Sequence, residues 1–446
     1  MTDAIRGIRD VAEKQLCTGC GVCAYMQPDA IRMVDDLDQG RRPVVADARG
    51  RPLPTVAALA ACPGVGVGHD QGPPAGASAG LLPAWGPVLE VWEGHAGDPE
   101  IRFAGSSGGA ATALALHALE RRRMHGVLHI TARPDVPYLN HTVMSRTRTQ
   151  LMAATGSRYA PASPCDRLDL IERAAAPCVF IGKPCDVAAA TMAARQRPSL
   201  ADRLGLTIAI FCAGTPSLRG TFEMLQAMGV TDPSTVASVR YRGNGWPGAA
   251  EVTTHDDPEV RRLTYERSWG DILQKHRPWR CHVCADHTGE LADVSVGDPW
   301  YRPIPPGEPG RSLVLVRTER GREIVREARA SGTLLLERAD PQVVTASQPN
   351  LLRARGSVWG RVVTSRAVGV AAPQFRRMPM FRFWISELDV GGKSRSVLGT
   401  LRRIVRRRLY RRRPVRPLDV PPYPQAVAAP GGQPVLEPRS IAELTR

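Results

Sequence analysis

The 446-residue sequence predicts an α/β core, a mixed sheet with flanking helices, preceded by a small cysteine-bearing module and followed by an irregular basic tail. Three observations carry that reading. Between about residues 85 and 340, short apolar runs alternate with helical stretches, the pattern of strands and the helices that cover them. Before them, cysteines 17, 20 and 23 stand two residues apart in a short, loop-rich stretch. After them, from Lys393 to Arg416, there are 11 basic residues and no acidic one.

Residues 1–64 are the cysteine module. The run PGVGVGHDQGPPAGASAG reads as a linker, placed at 65–84. In the core, 85–345, residues 110–123 read as a helix and 126–130 as a buried strand. A second strand at 178–182 leads into an alanine-rich helix from Asp186, and a third at 206–212 precedes a helix after Pro216. Two more strands fall at 292–296 and 312–316. Residues 346–446 form a less regular extension whose proline-rich end is expected to be disordered.

Net charge is +16, yet outside 393–416 it is only about +5, so the basicity belongs to one tail and does not point to a nucleic-acid-binding body. Only Lys14, Lys183, Lys275 and Lys393 are lysines, a bias toward arginine that is discounted as a functional sign. The opening MTDAIRGIRDVAEKQ has no apolar signal region. No apolar run approaches the roughly 18 residues that span a bilayer. The expected location is the cytoplasm, where thiols stay reduced, and the ten cysteines read there as metal ligands or redox groups.

Cys17-Thr-Gly-Cys20-Gly-Val-Cys23 has the rhythm that wraps one segment around three corners of a 4Fe-4S cube. Position 27, where a bacterial ferredoxin run would place its fourth cysteine, is Gln27, and Cys62 can supply the missing thiolate. The expectation is a ferredoxin-type module with one cluster. Tetrahedral zinc is the alternative, although zinc sites usually pair two separated C-x2-C units.

Cys281-His-Val-Cys284 is a weaker signal that leaves three readings open. It is a redox dithiol, a zinc site helped by His282 or His287, or half of a second cluster completed by Cys185 and Cys212 at strand ends of the core. Cys165 and Cys178 read as plain core cysteines. The turn Ala104-Gly-Ser-Ser-Gly-Gly109 opens a helix; it is either a diphosphate cradle or an ordinary N-cap and turn.

Taken in order, CTGCGVC with a later ACPG, GSSGGAATAL, GSRYAPASP, FIGKPCDVAA, FCAGTPS, YRGNGWPG and CHVCADHTGELADVSVGDPW resemble the beta subunits of coenzyme F(420) hydrogenase and dehydrogenase, and the related 7-hydroxymethyl chlorophyll a reductases. The resemblance spans about residues 14–301. It implies FAD and a 4Fe-4S cluster on the α/β core, and a second cluster in the N-terminal module. Carried onto this chain, it makes Cys185, Cys212, Cys281 and Cys284 ligands of the core cluster, beside Cys17, Cys20, Cys23 and Cys62 in the module. Ser106, Ser107, Gly108 and Gly109 become the flavin phosphate loop. Ser157, Arg158, Tyr159 and Asp298 become cofactor-pocket residues, with Asp293 and Gly297 near them. Tyr159 and His287 are the candidate proton donors.

Leu398, Leu401, Val405 and Leu409 fall at helical spacing among eight arginines from Arg402 to Arg413. That stripe over 397–413 suits an anionic membrane surface or docks on the core. The expected function is that of an oxidoreductase moving electrons through FAD between an iron–sulfur protein partner and an organic substrate or deazaflavin-type coenzyme. The alternatives are a non-catalytic electron-transfer subunit and a zinc-stabilised binding protein.

Overall fold

The computed structural model describes residues 5–48, 51–52 and 54–420. The proline-rich end expected to be disordered begins near this limit, and residues 421–446 lie outside the described residues.

The chain opens with helices α1 (Ile8–Glu13) and α2 (Val22–Met26) and a hairpin of β1 (Ile31–Asp36) and β2 (Gly40–Val45), with Ile31 opposite Val45. A short strand β3 (Gly66–Gly68) comes next. The core then supplies β4 (Glu90–Ala96), helix α3 (Ala110–Glu120), β5 (Val127–Ala132), β6 (Asn140–Ser145), β7 (Cys178–Gly182), helix α4 (Pro184–Ala194), β8 (Leu204–Ile210) and helix α5 (Leu218–Ala227). Strands β9 (Val236–Arg240), β10 (Ala249–Thr254) and β11 (Arg261–Thr264) make a separate antiparallel sheet. The chain returns through β12 (Val294–Gly297), β13 (Ser312–Val316), helix α6 (Glu319–Ala330) and β14 (Leu334–Arg338). It ends in helix α7 (Pro349–Ala367), strand β15 (Gln374–Arg376) and helix α8 (Val390–Arg406).

The main sheet has eight strands in the order β14-β4-β13-β12-β8-β7-β5-β6. Its centre, β12-β8-β7-β5, is parallel, and both flanks are antiparallel. All five residues of β13 and all four of β12 are buried, as expected of strands covered on both faces. The edge strand β14 alternates instead and leaves Leu335 exposed. One face packs Leu114, Leu116 and Ile324 of the covering helices on Val127, Leu206 and Val314. On the other, a single buried cluster joins Leu16 and Val22 of the N-terminal module to Phe180 and Val187 of the core and to Val358 and Ile404 of the last helices.

That shared cluster corrects the expected organisation. The module is not separated from the core by a loose linker. β3 pairs in parallel with β15, and Leu81 and Trp85 are buried beside Leu313 and Leu315. The irregular tail is also overturned as far as residue 406, since α7 and α8 are long helices packed on each other. Sequence patterning passed over α7, which mixes polar and apolar residues around its axis, and read α8 only from about residue 397.

Helix α8 starts earlier than the stripe suggested, capped by Asp389, whose carboxylate accepts from the Gly392 amide at 2.7 Å. Its inner face is small: Gly392, Ser396, Thr400 and Ile404. Leu398 (60% exposed), Leu401 (38%) and Val405 (67%) face outward, while Leu409 is buried. The three leucine and valine positions of the stripe inside the helix therefore do not dock on the core. No described helix is long and apolar enough to cross a membrane.

The inner face sets a tight tolerance. A Cβ on Gly360 of α7 would lie 2.3 Å from Ser396 Oγ. Gly360→Val should cost about 1–3 kcal/mol in urea unfolding through overpacking. Leu398→Glu on the outer face should stay within about 0.5 kcal/mol of the parent.

Candidate functional site

Two sets of thiols meet beneath the sheet. In the first, the loop between α1 and α2 turns at Gly21, with φ of +88°, where a Cβ would lie 2.8 Å from the Asp166 amide. This brings Cys17, Cys20 and Cys23 inward, and Cys62 joins them; all four are buried. Burial pushes the Cys62 thiol up to about 12, with Cys20 and Cys17 adding to it. Cys23 is raised by burial and then by Cys17, Cys20 and Cys62. Cys20 is held lower, chiefly by a hydrogen bond from Cys165, whose sulfur also lies 3.2 Å from the Asp186 carbonyl. Cys165 and Cys178 are both buried, as read from the sequence, but Cys165 lies against the first set.

The second set comes from three places in the core. Cys185 stands in the first turn of α4, Cys212 comes just after β8, and Cys281 and Cys284 belong to a helical turn at Trp279–His282 and its exit. Burial pushes Cys212 up to about 12, with Cys281 and Cys284 contributing. Cys185 is raised by burial, with further effects from Cys212 and Cys284. Backbone amides serve one sulfur of each set: Gly19 N–H donates to Cys17 Sγ and Gly214 N–H to Cys212 Sγ, both at 3.3 Å.

Thiols raised by desolvation and by one another, as Cys23, Cys62 and Cys185 are, make poor thiolates by themselves, and a compact positive centre would reverse the penalty. Among the described residues no group of three or more His, Cys, Asp or Glu side chains is gathered as a metal-ion site. Four cysteines in each set are the donor type and number that a 4Fe-4S cluster takes.

Lys183 connects the two sets. Its ammonium donates to both Asp186 carboxylate oxygens at 2.6 and 2.7 Å and stands half-buried at the end of β7. Its charge acts on Cys17 and Cys20 on one side and on Cys185 and Cys212 on the other. A cavity of about 20 Å³ beside it reaches both Cys17 and Cys281.

Cys212 and Lys183 also line a cleft of about 300 Å³ at the carboxyl ends of β7 and β8, where ligands collect in α/β sheets. One wall is aromatic: Tyr159, Tyr265, Trp269 and Trp300. Tyr265 and Trp300 stack at 5.5 Å and 19°, and Tyr159 lies 4.9 Å from Trp269. Arg242 is buried against Tyr265 (4.7 Å) and Trp300 (5.2 Å) and forms a two-pronged pair with Asp298 at 2.6 and 3.0 Å. Trp246 Nε1–H donates to the same carboxylate at 2.8 Å. The opposite wall is the start of α3, where Ala110, Ala111 and Thr112 present first-turn amides that the helix leaves without internal partners.

The structure sorts the expected cleft residues. Ser106, Ser107, Gly109, Ser157, Tyr159, Gly297 and Asp298 all line the cleft. Gly108 does not; its N–H donates to Ser312 Oγ at 2.9 Å, and a Cβ there would meet Arg311 Cα at 2.9 Å. Gly109 takes φ of +71° against Ile101. Both glycines serve close packing, and Ser106 Oγ donates to the Arg242 carbonyl at 3.3 Å, so the cradle is left to the helix start. Arg158 lines the cleft, but its guanidinium is taken by Asn140 and by the carbonyls of Val239 (2.9 Å) and Pro137 (2.6 Å). Asp293 lies outside the cleft, binding Thr207, Thr318 and Arg320. His287 is likewise outside; its Nδ1 bonds the Cys212 carbonyl at 2.9 Å, and burial holds it down to about 4. Sequence reasoning missed Arg242, Tyr265, Trp269 and Lys183. Arg242 and Trp300 stand inside the motifs YRGNGWPG and CHVCADHTGELADVSVGDPW, whereas nothing in the local spacing of Tyr265 or Trp269 singles them out.

The model of the coenzyme F420 hydrogenase/dehydrogenase beta subunit N-terminus matches residues 91–168, and that of its C terminus residues 177–342. The chain belongs to this family. It is 25% identical over 242 residues to the coenzyme F420 hydrogenase subunit beta of Methanosarcina barkeri, covering 53% of this chain and 77% of that protein. It is 23% identical over 254 residues to the F420-dependent formate dehydrogenase 1 subunit beta of Methanococcus maripaludis, covering 57% and 62%. A solved chain of the F420-reducing NiFe hydrogenase complex of M. barkeri aligns with a TM-score of 0.49 and 22% identity over 63% of this chain and 94% of that one. F420 hydrogenase/dehydrogenase beta subunits form an oxidoreductase family, and the matched segments contain the second thiol set and all of the cleft lining except Gln348 and Leu351. Cys17–Cys62, α7 and α8 lie outside them.

The buried pair and the buried histidine of the cleft are both open to test. Asp298→Asn leaves Arg242 buried without its counter-charge and should cost about 3–5 kcal/mol in urea unfolding. His129 in the cleft wall bonds Ser145 Oγ at 2.7 Å and is held down to about 4 by burial. The folded protein therefore favours neutral His129, while the unfolded chain binds the proton near 6.5. Its contribution is full above about pH 6.5 and falls toward pH 4, a loss on the order of 3 kcal/mol. His129→Gln should flatten that part of the stability–pH curve relative to the parent.

Proposed function

We infer that the chain is an iron–sulfur flavoprotein oxidoreductase with two 4Fe-4S clusters and FAD. It would move electrons between an iron–sulfur protein partner and an organic substrate or deazaflavin-type coenzyme. The observation that carries this is the sequence of sites: a first thiol set, Lys183, a second thiol set, and an aromatic cleft against Cys212. Cys17, Cys20, Cys23 and Cys62 would hold one cluster and Cys185, Cys212, Cys281 and Cys284 the other. Bound there, the groups supply one-electron relay and, at the flavin, two-electron hydride chemistry.

The chain's own residues have separate tasks. The thiols and the amides of Gly19 and Gly214 hold the metal centres and stabilise sulfur charge. Tyr265 and Trp300 offer flat faces for a flavin ring, and the α3 amides offer a place for phosphate. At about 300 Å³ the cleft is at the small end of cofactor pockets, enough for a ring system. Neutral His129 and the paired Arg242 add no free cation, so phosphate binding rests on amides. Tyr159, in the cleft, is the candidate proton donor.

The relatives are named as subunits, which favours a second reading: an electron-transfer subunit whose partner holds the substrate site. The outward stripe Leu398, Leu401 and Val405, flanked by arginines, also leaves room for peripheral contact with an anionic membrane.

Cofactor content tests the first reading. Anaerobically purified protein should hold about eight irons and one FAD per chain, falling to about four irons in Cys20→Ser and in Cys281→Ser. Zinc without iron or flavin would overturn it. Turnover of the isolated chain with an artificial donor, reduced sharply by Tyr159→Phe, separates the enzyme from the subunit reading.

A further inference from the structure

A concentration of positive charge outside the cleft surrounds the turn that carries Cys281 and Cys284, and much of it comes from the last two helices. Arg361 of α7 donates through Nη1 to the His282 carbonyl at 2.6 Å. Arg407, just beyond α8, donates to the Arg277 carbonyl at 3.3 Å and has Nη2 3.3 Å from His282 Nε2. Arg355 donates to the Ala285 carbonyl at 3.3 Å, and Arg280, from within the turn, to the Val283 carbonyl at 3.2 Å. The extension therefore grips this turn from outside with guanidinium groups.

Two observations say that the grip is more than packing. Arg355 is paired with Glu290, but among the described residues no carboxylate pairs with Arg277, Arg361, Arg403 or Arg407. Burial and then the neighbouring Arg403 and Arg277 press Arg361 down to about 10. Burial, and then Arg403, Arg406 and Arg277, lower Arg407, with Cys281 acting in the opposite sense. Secondly, several buried N–H donors of this region have no protein acceptor: Trp279 Nε1, Arg280 Nε, Arg355 Nη2 and Arg361 Nε. Leaving such donors unpaired costs about 1–3 kcal/mol each. Buried cations and orphaned donors together call for a negatively charged acceptor at the turn. The first thiol set differs: the cations acting on Cys17 are Arg42 and the shared Lys183.

We propose that Arg361 and Arg407, with Arg277 and Arg403 beside them, form a cationic clamp that stabilises the added electron on the centre at Cys185, Cys212, Cys281 and Cys284. The clamp sets that centre's reduction potential above the potential of the centre at Cys17, Cys20, Cys23 and Cys62. One-electron reduction adds one negative charge, and nearby positive charge in a partly buried medium favours the reduced form. The clamp rests on the reading that a four-iron cluster occupies the second thiol set. Its two helices lie beyond residue 342, where the family match ends, so this tuning belongs to the chain's own extension. Arg361 and Arg407 are positioning and tuning residues; neither lines the cleft.

The test is a redox titration of the anaerobic full-length holoprotein monitored by electron paramagnetic resonance. The core signal is the one that Cys281→Ser removes and Cys20→Ser keeps. Arg361→Gln and Arg407→Gln should move that signal to lower potential while the other signal stays in place. Arg407→Lys, which keeps the charge and loses the guanidinium fork, should restore most of the parent value. Should Arg361→Gln lose iron, the half-exposed Arg403→Gln is read by the same criterion. A core signal unmoved in iron-replete glutamine variants overturns the clamp, as does an equal shift in Arg407→Gln and Arg407→Lys. A parent protein in which Cys281→Ser removes no signal overturns instead the placement of a cluster in the second set, and the clamp with it.

Discussion

The gathering of eight thiols into two sets, the first buried and the second half-buried, is the constraint on which the rest of the molecule depends. A thiol out of water resists ionisation, and four together resist it more, as the elevated Cys23, Cys62, Cys185 and Cys212 illustrate. Such an arrangement is costly unless a positive centre is shared among the sulfurs. The surrounding chain is built accordingly. Amides of Gly19 and Gly214 point at sulfur, and Lys183 stands between the sets with Asp186 as its counter-charge.

This constraint also accounts for the lack of a free N-terminal domain. The module contributes four of the eight sulfurs, and its apolar residues complete a core with Phe180, Val187, Val358 and Ile404. Pairing of β3 with β15 closes the segment after Cys62 onto the C-terminal part of the chain. Module, core and extension are therefore held by common packing. A change on the inner face of α8 acts through α7 on the turn that carries Cys281 and Cys284.

The cleft obeys a different logic. Its charged groups are neutralised in place, Arg242 by Asp298 and Lys183 by Asp186, and its exposed surface is aromatic and amide. A pocket of that kind recognises a flat ring and a phosphate through shape and backbone donors rather than through free side-chain cations. The buried pair holds Arg242 against both Tyr265 and Trp300, which stack on each other in the aromatic wall.

The sequence by itself determined the parts whose signal is local. The strands at 178–182 and 312–316 coincide with β7 and β13, because continuous apolar runs between turns have few other outcomes. The spacing of Cys17, Cys20 and Cys23, and the pair at 281 and 284, marked the ligand loops, and the ordered motifs gave the family. Only the tertiary structure decided which partners those residues meet. It spent Arg158 on carbonyls of Val239 and Pro137, turned Gly108 toward Ser312, moved His287 behind Cys212 and brought Tyr265 and Trp269 to the cleft. It also set α8 with its small residues inward and its leucines out, the reverse of what hydrophobic periodicity suggests. The reason is physical: spacing along the chain specifies the local backbone, whereas the contacts of a side chain depend on segments up to hundreds of residues away.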